Sequence, residues 1–337
     1  MTDDPRGRCG RREFLETLAF GGLAALGPRG AAADPPPETT RIRLTRTVAI
    51  CTAPQLVSVD LLTGEGFHEV EWFQGPGSTG PLTDVASGAA DIGITFSGPT
   101  IIQIDAGDPV VVLAGVHPGC FELFGTERIH SLRDLKGRKI AVVGLGASPH
   151  VFLSSMLAHV GLDPRKDVKW VLGAREESVA RLRDGAVDAY MGFPPEPQEL
   201  RALRIGHVIV NSATDRPWSQ YFCCVVVANR RFVREHPVAT KRALRAFMKA
   251  TDVCAREPDR VAHTLVEQKW TDREDYARQT IRDLPYGRWR EFNPEDTIRF
   301  YALRLHEAGM VKASPQKILA QGTDWRFLSE LKRELKA

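Results

Sequence analysis

One pattern occurs twice in this chain and limits what it can fold into. Gly88-Ala89-Ala90-Asp91-Ile92-Gly93 is echoed by Gly185-Ala186-Val187-Asp188-Ala189-Tyr190. Each copy follows an amphipathic segment, Leu82–Ser87 or Val179–Asp184. Each leads to a proline-bearing loop, Ser97-Gly98-Pro99 or Phe193-Pro194-Pro195. The physical reading is a helix, a glycine stop, an aspartate and a strand aimed at a loop. An ordinary helix-to-strand turn explains either copy alone. One copy in each half points to two α/β lobes built alike, their loops facing across a cleft. Loops at the carboxyl ends of parallel strands are where open α/β sheets bind ligands.

The rest of the chain keeps the same rhythm. Strands are expected at Thr47–Cys51, Glu69–Phe73, Asp91–Phe96, Val110–Val116, Lys139–Val143, Val168–Leu172, Val187–Gly192 and Val208–Asn211, and Phe222–Ala228 is a further apolar run. Most are short and Val/Ile-rich, as strands buried on both faces are, and their alternation with helical segments implies mostly parallel sheets. Ser148 is a good N-cap with Pro149 in the first turn, and Leu153, Met156, Leu157 and Val160 follow at helical spacing before Gly161. Residues from Pro237 to about Leu305 read as largely helical.

With 337 residues, 43% of them hydrophobic, the chain can bury one large core or two medium ones. The net charge is only +3 and the basic residues are scattered, so there is no nucleic-acid footprint. Residues 1–33 read as an export signal of the twin-arginine type. Arg11-Arg12 precedes a short apolar stretch, Leu18 to Leu26, and Ala31-Ala32-Ala33 offers a cleavage site. That stretch is too short for a permanent membrane anchor, and no cysteine follows it to carry a lipid. The product is expected to be periplasmic. Asp34 to Thr40 is proline-rich and reads as a linker.

Cys9 would leave with the signal, and Cys51, Cys120, Cys223, Cys224 and Cys254 would remain. There is no C-x-x-C and no histidine at zinc-ligand spacing to a cysteine pair, so no metal or other cofactor is expected. Buried, small apolar side chains are the expected role. A disulfide between two of them is open in an oxidising compartment.

Leu132-Arg133-Asp134-Leu135-Lys136-Gly137-Arg138-Lys139-Ile140-Ala141-Val142 resembles the D-L-K-G-K-K-V-A-V element of periplasmic solute-binding proteins. With the element at 88–93, Gly146-Ala147-Ser148 opening a helix, Gly161-Leu162-Asp163-Pro164 and Arg231 to Pro237, the chain is similar to the nitrate/sulfonate/taurine class of ABC-transporter binding proteins. That class is related to binding proteins for thiamin pyrimidine precursors. The likeness runs from about Val48 to Pro258. It implies a type II periplasmic-binding-protein fold: two α/β lobes joined by a hinge, residues 41–119 plus 218–337 in one and 120–217 in the other. It also implies a non-enzymatic, monomeric receptor that delivers a small molecule to a membrane permease. The chain departs from the pattern at Thr52 to Gly66, where the stretch before Gly66-Phe67 is brief.

The pocket is expected to be lined by loops at strand ends: Thr52, Gln55, Gly77, Ser78, Ser97, Gly98 and His117 on the first lobe, Ser148, His150, Phe193 and Glu196 on the second, and Trp218 and Tyr221 near the return crossing. Helix N-termini present free N–H groups and suit an anion such as a sulfonate, nitrate or carboxylate. Phe193, Trp218 and Tyr221 suit a pyrimidine or other flat heterocycle instead. Each serine also fits the role of a plain N-cap, and each aromatic that of a core residue. An enzyme resembling the pyrimidine synthases of thiamin biosynthesis is the rival from another class. Those enzymes share this fold and carry a Cys-rich iron site, of which Cys223-Cys224 is reminiscent.

Overall fold

The computed structural model describes residues 34–47, 49–75 and 80–335. The expected signal, Cys9, Gly77 and Ser78 lie outside the described residues. Two five-stranded sheets organise the rest. The strands are β1 (Arg41–Thr45), β2 (Glu69–Phe73), β3 (Ile92–Phe96), β4 (Val110–Pro118), β5 (Glu122–Gly125), β6 (Lys139–Val142), β7 (Lys169–Leu172), β8 (Ala189–Gly192), β9 (His207–Asn211) and β10 (Phe222–Asn229). The first sheet has the order β2-β1-β3-β10-β4 and the second β7-β6-β8-β5-β9. The chain leaves the first sheet between Pro118 and Glu122 and returns between Asn211 and Phe222.

Three expectations need correction. The first strand is Arg41–Thr45, not Thr47–Cys51. Ile42 and Leu44 alternate inward, and pairing with β2 is used up at Thr45↔Phe73, so the chain turns and Ile50–Thr52 forms a 3-10 turn. The sheets are mixed rather than mostly parallel. β10 runs antiparallel to β3 and β4, and β5 antiparallel to β8 and β9, because each follows a crossing and enters the middle of a sheet in reverse. Strand β5, Glu-Leu-Phe-Gly, is too short to leave a periodic trace, and the sequence reading does not include it.

The repeated pattern has one structural job in both sheets. Gly88 and Gly185 take left-handed φ values of 77° and 70° and stop their helices. The aspartate that follows then stitches two strands together. Asp91 donates its N–H to Arg43 O and accepts Arg43 N–H at Oδ2, 2.8 Å each way. Asp188 does the same with Lys139, at 2.8 and 2.9 Å.

One continuous apolar core runs through both sheets, from Ile42, Ile92 and Val226 to Leu123, Ile140 and Met156. A smaller cluster, including Phe124, Leu182 and Leu200, belongs to the second sheet. The C-terminal helices cover the first sheet, led by Pro237–Arg256, whose Ala243, Leu244, Phe247 and Met248 are buried. Glu38, in the expected linker, is bonded to the fold. Its carboxylate accepts the N–H groups of Val238 and Ala239 at that helix's N-terminus. Partial burial opposes its charge, but these donors still hold the carboxyl below its usual range. Among the described residues no helix is long and apolar enough to cross a membrane.

Candidate functional site

The carboxyl ends of β3 and β6 each feed a helix: Ser97–Ala106 from β3 directly, and Ser148–His159 from β6 through Gly144-Leu145-Gly146-Ala147. Both start after an extended residue, Phe96 or Ala147, and neither has a side-chain cap. Ser148 is thus the first helical residue, and the cap position expected of it belongs to Ala147. Proline follows in each first turn (Pro99, Pro149), where its missing N–H costs nothing. The backbone N–H groups of a first turn have no partner within the helix, and the helix dipole adds partial positive charge.

The two first turns, one from each sheet, pack against each other. A Cβ on Gly98 would lie 2.9 Å from Val151 Cγ1, so this approach needs glycine on one side. Around it stands an aromatic wall from both sides of the crossing. Phe121 stacks on Phe152 with centroids 4.6 Å apart, and Phe96 meets Phe121 at 5.2 Å and half-buried Phe193 at 5.4 Å.

Several expected site residues spend their polar groups inside the fold. Thr52 Oγ1 donates to Ala49 O at 2.8 Å. Gln55 is buried between two strands, donating through Nε2 to Thr45 O and accepting Ile94 N–H at Oε1. Ser97 Oγ donates to Phe222 O at 2.7 Å and so ties β3 to the return strand. His150 Nδ1 accepts Gly146 N–H at 3.1 Å, so its ring proton sits on Nε2. Burial lowers its pKa to about 4. Glu196 accepts the Tyr190 hydroxyl at 2.6 Å and pairs with Arg175 Nε at 3.2 Å. Burial nevertheless raises it to about 7.

His117 lies on β4, opposite Cys224, rather than in a loop. Its Nε2 is 3.0 Å from Cys51 O and its Nδ1 3.0 Å from Gly119 O. Carbonyls only accept, so both contacts are made best by the doubly protonated ring. Burial opposes that charge, yet the neighbouring Cys224 and Cys51 keep its pKa well above the usual value. Trp218 is 2% exposed and edge-on to His159 and Phe152. Tyr221 stacks flat on Phe300, 3.9 Å between centroids, beside a surface hollow of about 560 Å³. A larger hollow of about 680 Å³, lined by Arg43, Asp91, Asn229 and Glu235, lies at the amino ends of β1 and β3, away from the helix starts.

Gly98 thus packs against the first turn that Ser148 opens, and Phe193 stands beside it against Phe96 and Phe121. The structure places Thr52, Gln55, Glu196 and Trp218 in supporting positions. Phe96, Phe121 and Phe152 were not anticipated, since nothing local distinguishes them from core residues.

A family model described as NMT1/THI5 like matches residues 65–261. No curated protein matches the chain. Among solved structures, the periplasmic nitrate-binding protein NrtA of Synechocystis PCC 6803 superposes with a TM-score of 0.73 at 15% identity, covering 90% of each chain. The alkanesulfonate-binding protein SsuA of Xanthomonas axonopodis pv. citri, bound to MOPS, gives 0.67 at 17% identity over 86% of this chain and 99% of that one. The aliphatic sulphonate binding protein SsuA of Escherichia coli gives 0.66 at 19%, over 83% and 96%. The shared architecture is the periplasmic-binding-protein fold.

Proposed function

The chain belongs to the NMT1/THI5-like family, and on that premise we propose that it is an extracytoplasmic solute-binding protein of an ABC importer. Residues 41–119 with 218–337 form one lobe and 120–217 the other, and a small solute is held between them. The protein acts as a periplasmic monomer that binds without chemistry and presents its ligand to a membrane permease. The observation that carries this reading is the meeting of two helix first turns, Ser97–Ala106 and Ser148–His159, neither with a side-chain cap. Two helix first turns without side-chain caps, brought together from the two sheets, suit an anion, and the solute class we propose is a sulfonate, nitrate or small carboxylate. Closure around such a ligand is a hinge motion at the two crossings.

A second reading, a flat heterocycle such as a pyrimidine, is favoured by half-buried Phe193 between Phe96 and Phe121. A thermal-shift screen separates the two, using alkanesulfonates, nitrate, small carboxylates and aminopyrimidines. A ligand at 100 times its dissociation constant stabilises by about 2.7 kcal/mol. A saturable shift confined to anions supports the lead reading, and one confined to aminopyrimidines supports the second. Turnover of any compound without a binding shift rejects the receptor role.

A further inference from the structure

Four buried cysteines gather where the chain passes between the sheets. Cys51 lies in the 3-10 turn after β1, Cys120 on the outgoing crossing, and Cys223 and Cys224 follow Phe222 at the start of the return strand β10. The Sγ atoms of Cys51, Cys120 and Cys224 all lie within 4.8 Å of one another, and among the described residues no other trio of His, Cys, Asp or Glu converges so closely. Three separate segments supply these sulfurs, so no ligand spacing in the sequence announces them.

Buried cysteines usually serve as small apolar side chains. Here three polarisable sulfurs share one enclosed space, which single cysteines scattered through a core do not. A metal–sulfur bond of about 2.3 Å at the centre of an equilateral triangle needs sulfurs about 4.0 Å apart, which this trio accommodates. Thiolates select soft ions, Cu(I) and Zn(II) foremost. Structural zinc takes four ligands, and among the described residues a fourth does not join the converging group. Both His117 nitrogens face the carbonyls of Cys51 and Gly119. Cys223 Sγ sits 2.7 Å from Cys120 Sγ but is not part of the converging trio.

We propose that Cys51, Cys120 and Cys224 form a buried three-coordinate site for Cu(I). Binding exchanges thiol protons for the ion. It involves no change of oxidation state when the metal is supplied as Cu(I). The site does not depend on the solute-binding reading. Cys120 has a competing fate: a disulfide with Cys223 would withdraw it from the trio.

The test is an anaerobic titration of the reduced full chain with Cu(I), with bicinchoninate as the competing chromophoric chelator. The expected result is one Cu(I) retained per chain, with X-ray absorption showing sulfur-only, three-coordinate copper. Cys51→Ser, Cys120→Ser and Cys224→Ser should each weaken retention at least tenfold. Cys223→Ser and Cys254→Ser, equally buried, should retain the ion and control for folding, which far-UV circular dichroism monitors in every variant. Reduced wild type that retains no copper overturns the proposal. So does an equal loss in all five variants that keep their fold, or Zn(II) held in preference with four ligands. A purified chain short of two titratable thiols that still refuses copper after reduction would make the disulfide the role of Cys120 and overturn it as well.

Discussion

Gly98 and Val151 meet across the two halves of the molecule, with room between them for a hydrogen but not for a methyl group. Gly98→Ala should therefore wedge the first turns apart. Solute affinity is expected to fall about tenfold, about 1.4 kcal/mol, and Val151→Ala in the same chain should restore most of it. Calorimetric titration of the two variants and the wild type checks this. Unchanged affinity in Gly98→Ala would mean the solute does not need these turns together.

Gln55 is expected to matter for folding and not for recognition. Its amide bridges Thr45 and Ile94, so Gln55→Leu strands a buried acceptor and a buried donor, at about 1–3 kcal/mol each. Urea denaturation should register that loss while solute affinity stays the same. A loss of affinity with stability intact would place Gln55 against the ligand instead.

Trp218 makes a similar case on larger apolar terms. Packed against Phe152, His159 and Phe300, its removal in Trp218→Ala should cost about 3–5 kcal/mol. If the variant keeps its melting temperature but loses binding of an aromatic solute, the ring is a stacking surface after all.

Two buried groups give opposing pH dependences. Burial holds His150 near pKa about 4, below its ordinary value, so the unfolded chain takes up a proton first and stability is lost as pH falls from about 6.5 to about 4. Burial lifts Glu196 to about 7, against the pull of Tyr190 and Arg175. The folded chain then keeps a proton the unfolded chain has released, and stability is lost as pH rises from about 4.5 to about 7. Each slope amounts to at most about 3 kcal/mol. Denaturation of His150→Gln across this range should show stability falling with pH. Glu196→Gln should show it rising. Parallel curves for both variants and the wild type would contradict these assignments.

Much of this architecture was legible in the chain. Strands β2, β3 and β6 fall within a residue or so of the expected runs, the apolar run Phe222–Ala228 proves to be strand β10, and the duplicated Gly–Asp pattern marks equivalent places in the two sheets. Strand direction was not legible, because β5 and β10 are reversed by where the crossings enter each sheet, not by their own residues. The site was legible only as loops. Ser97 and Glu196 occupy loop-edge positions, but whether such a side chain faces a cleft or a neighbouring strand depends on partners distant in sequence, Phe222 for one and Arg175 for the other. The thiol trio was hidden for the same reason.

Anion capture is tested most directly by a calorimetric titration of the wild-type chain with a short alkanesulfonate, followed by nitrate and a small carboxylate in competition. Saturable heat at one site per chain is expected, with the anions displacing one another and Gly98→Ala weakening all of them. Flat traces with every anion, alongside saturable heat from an aminopyrimidine, would contradict anion capture at the paired helix starts.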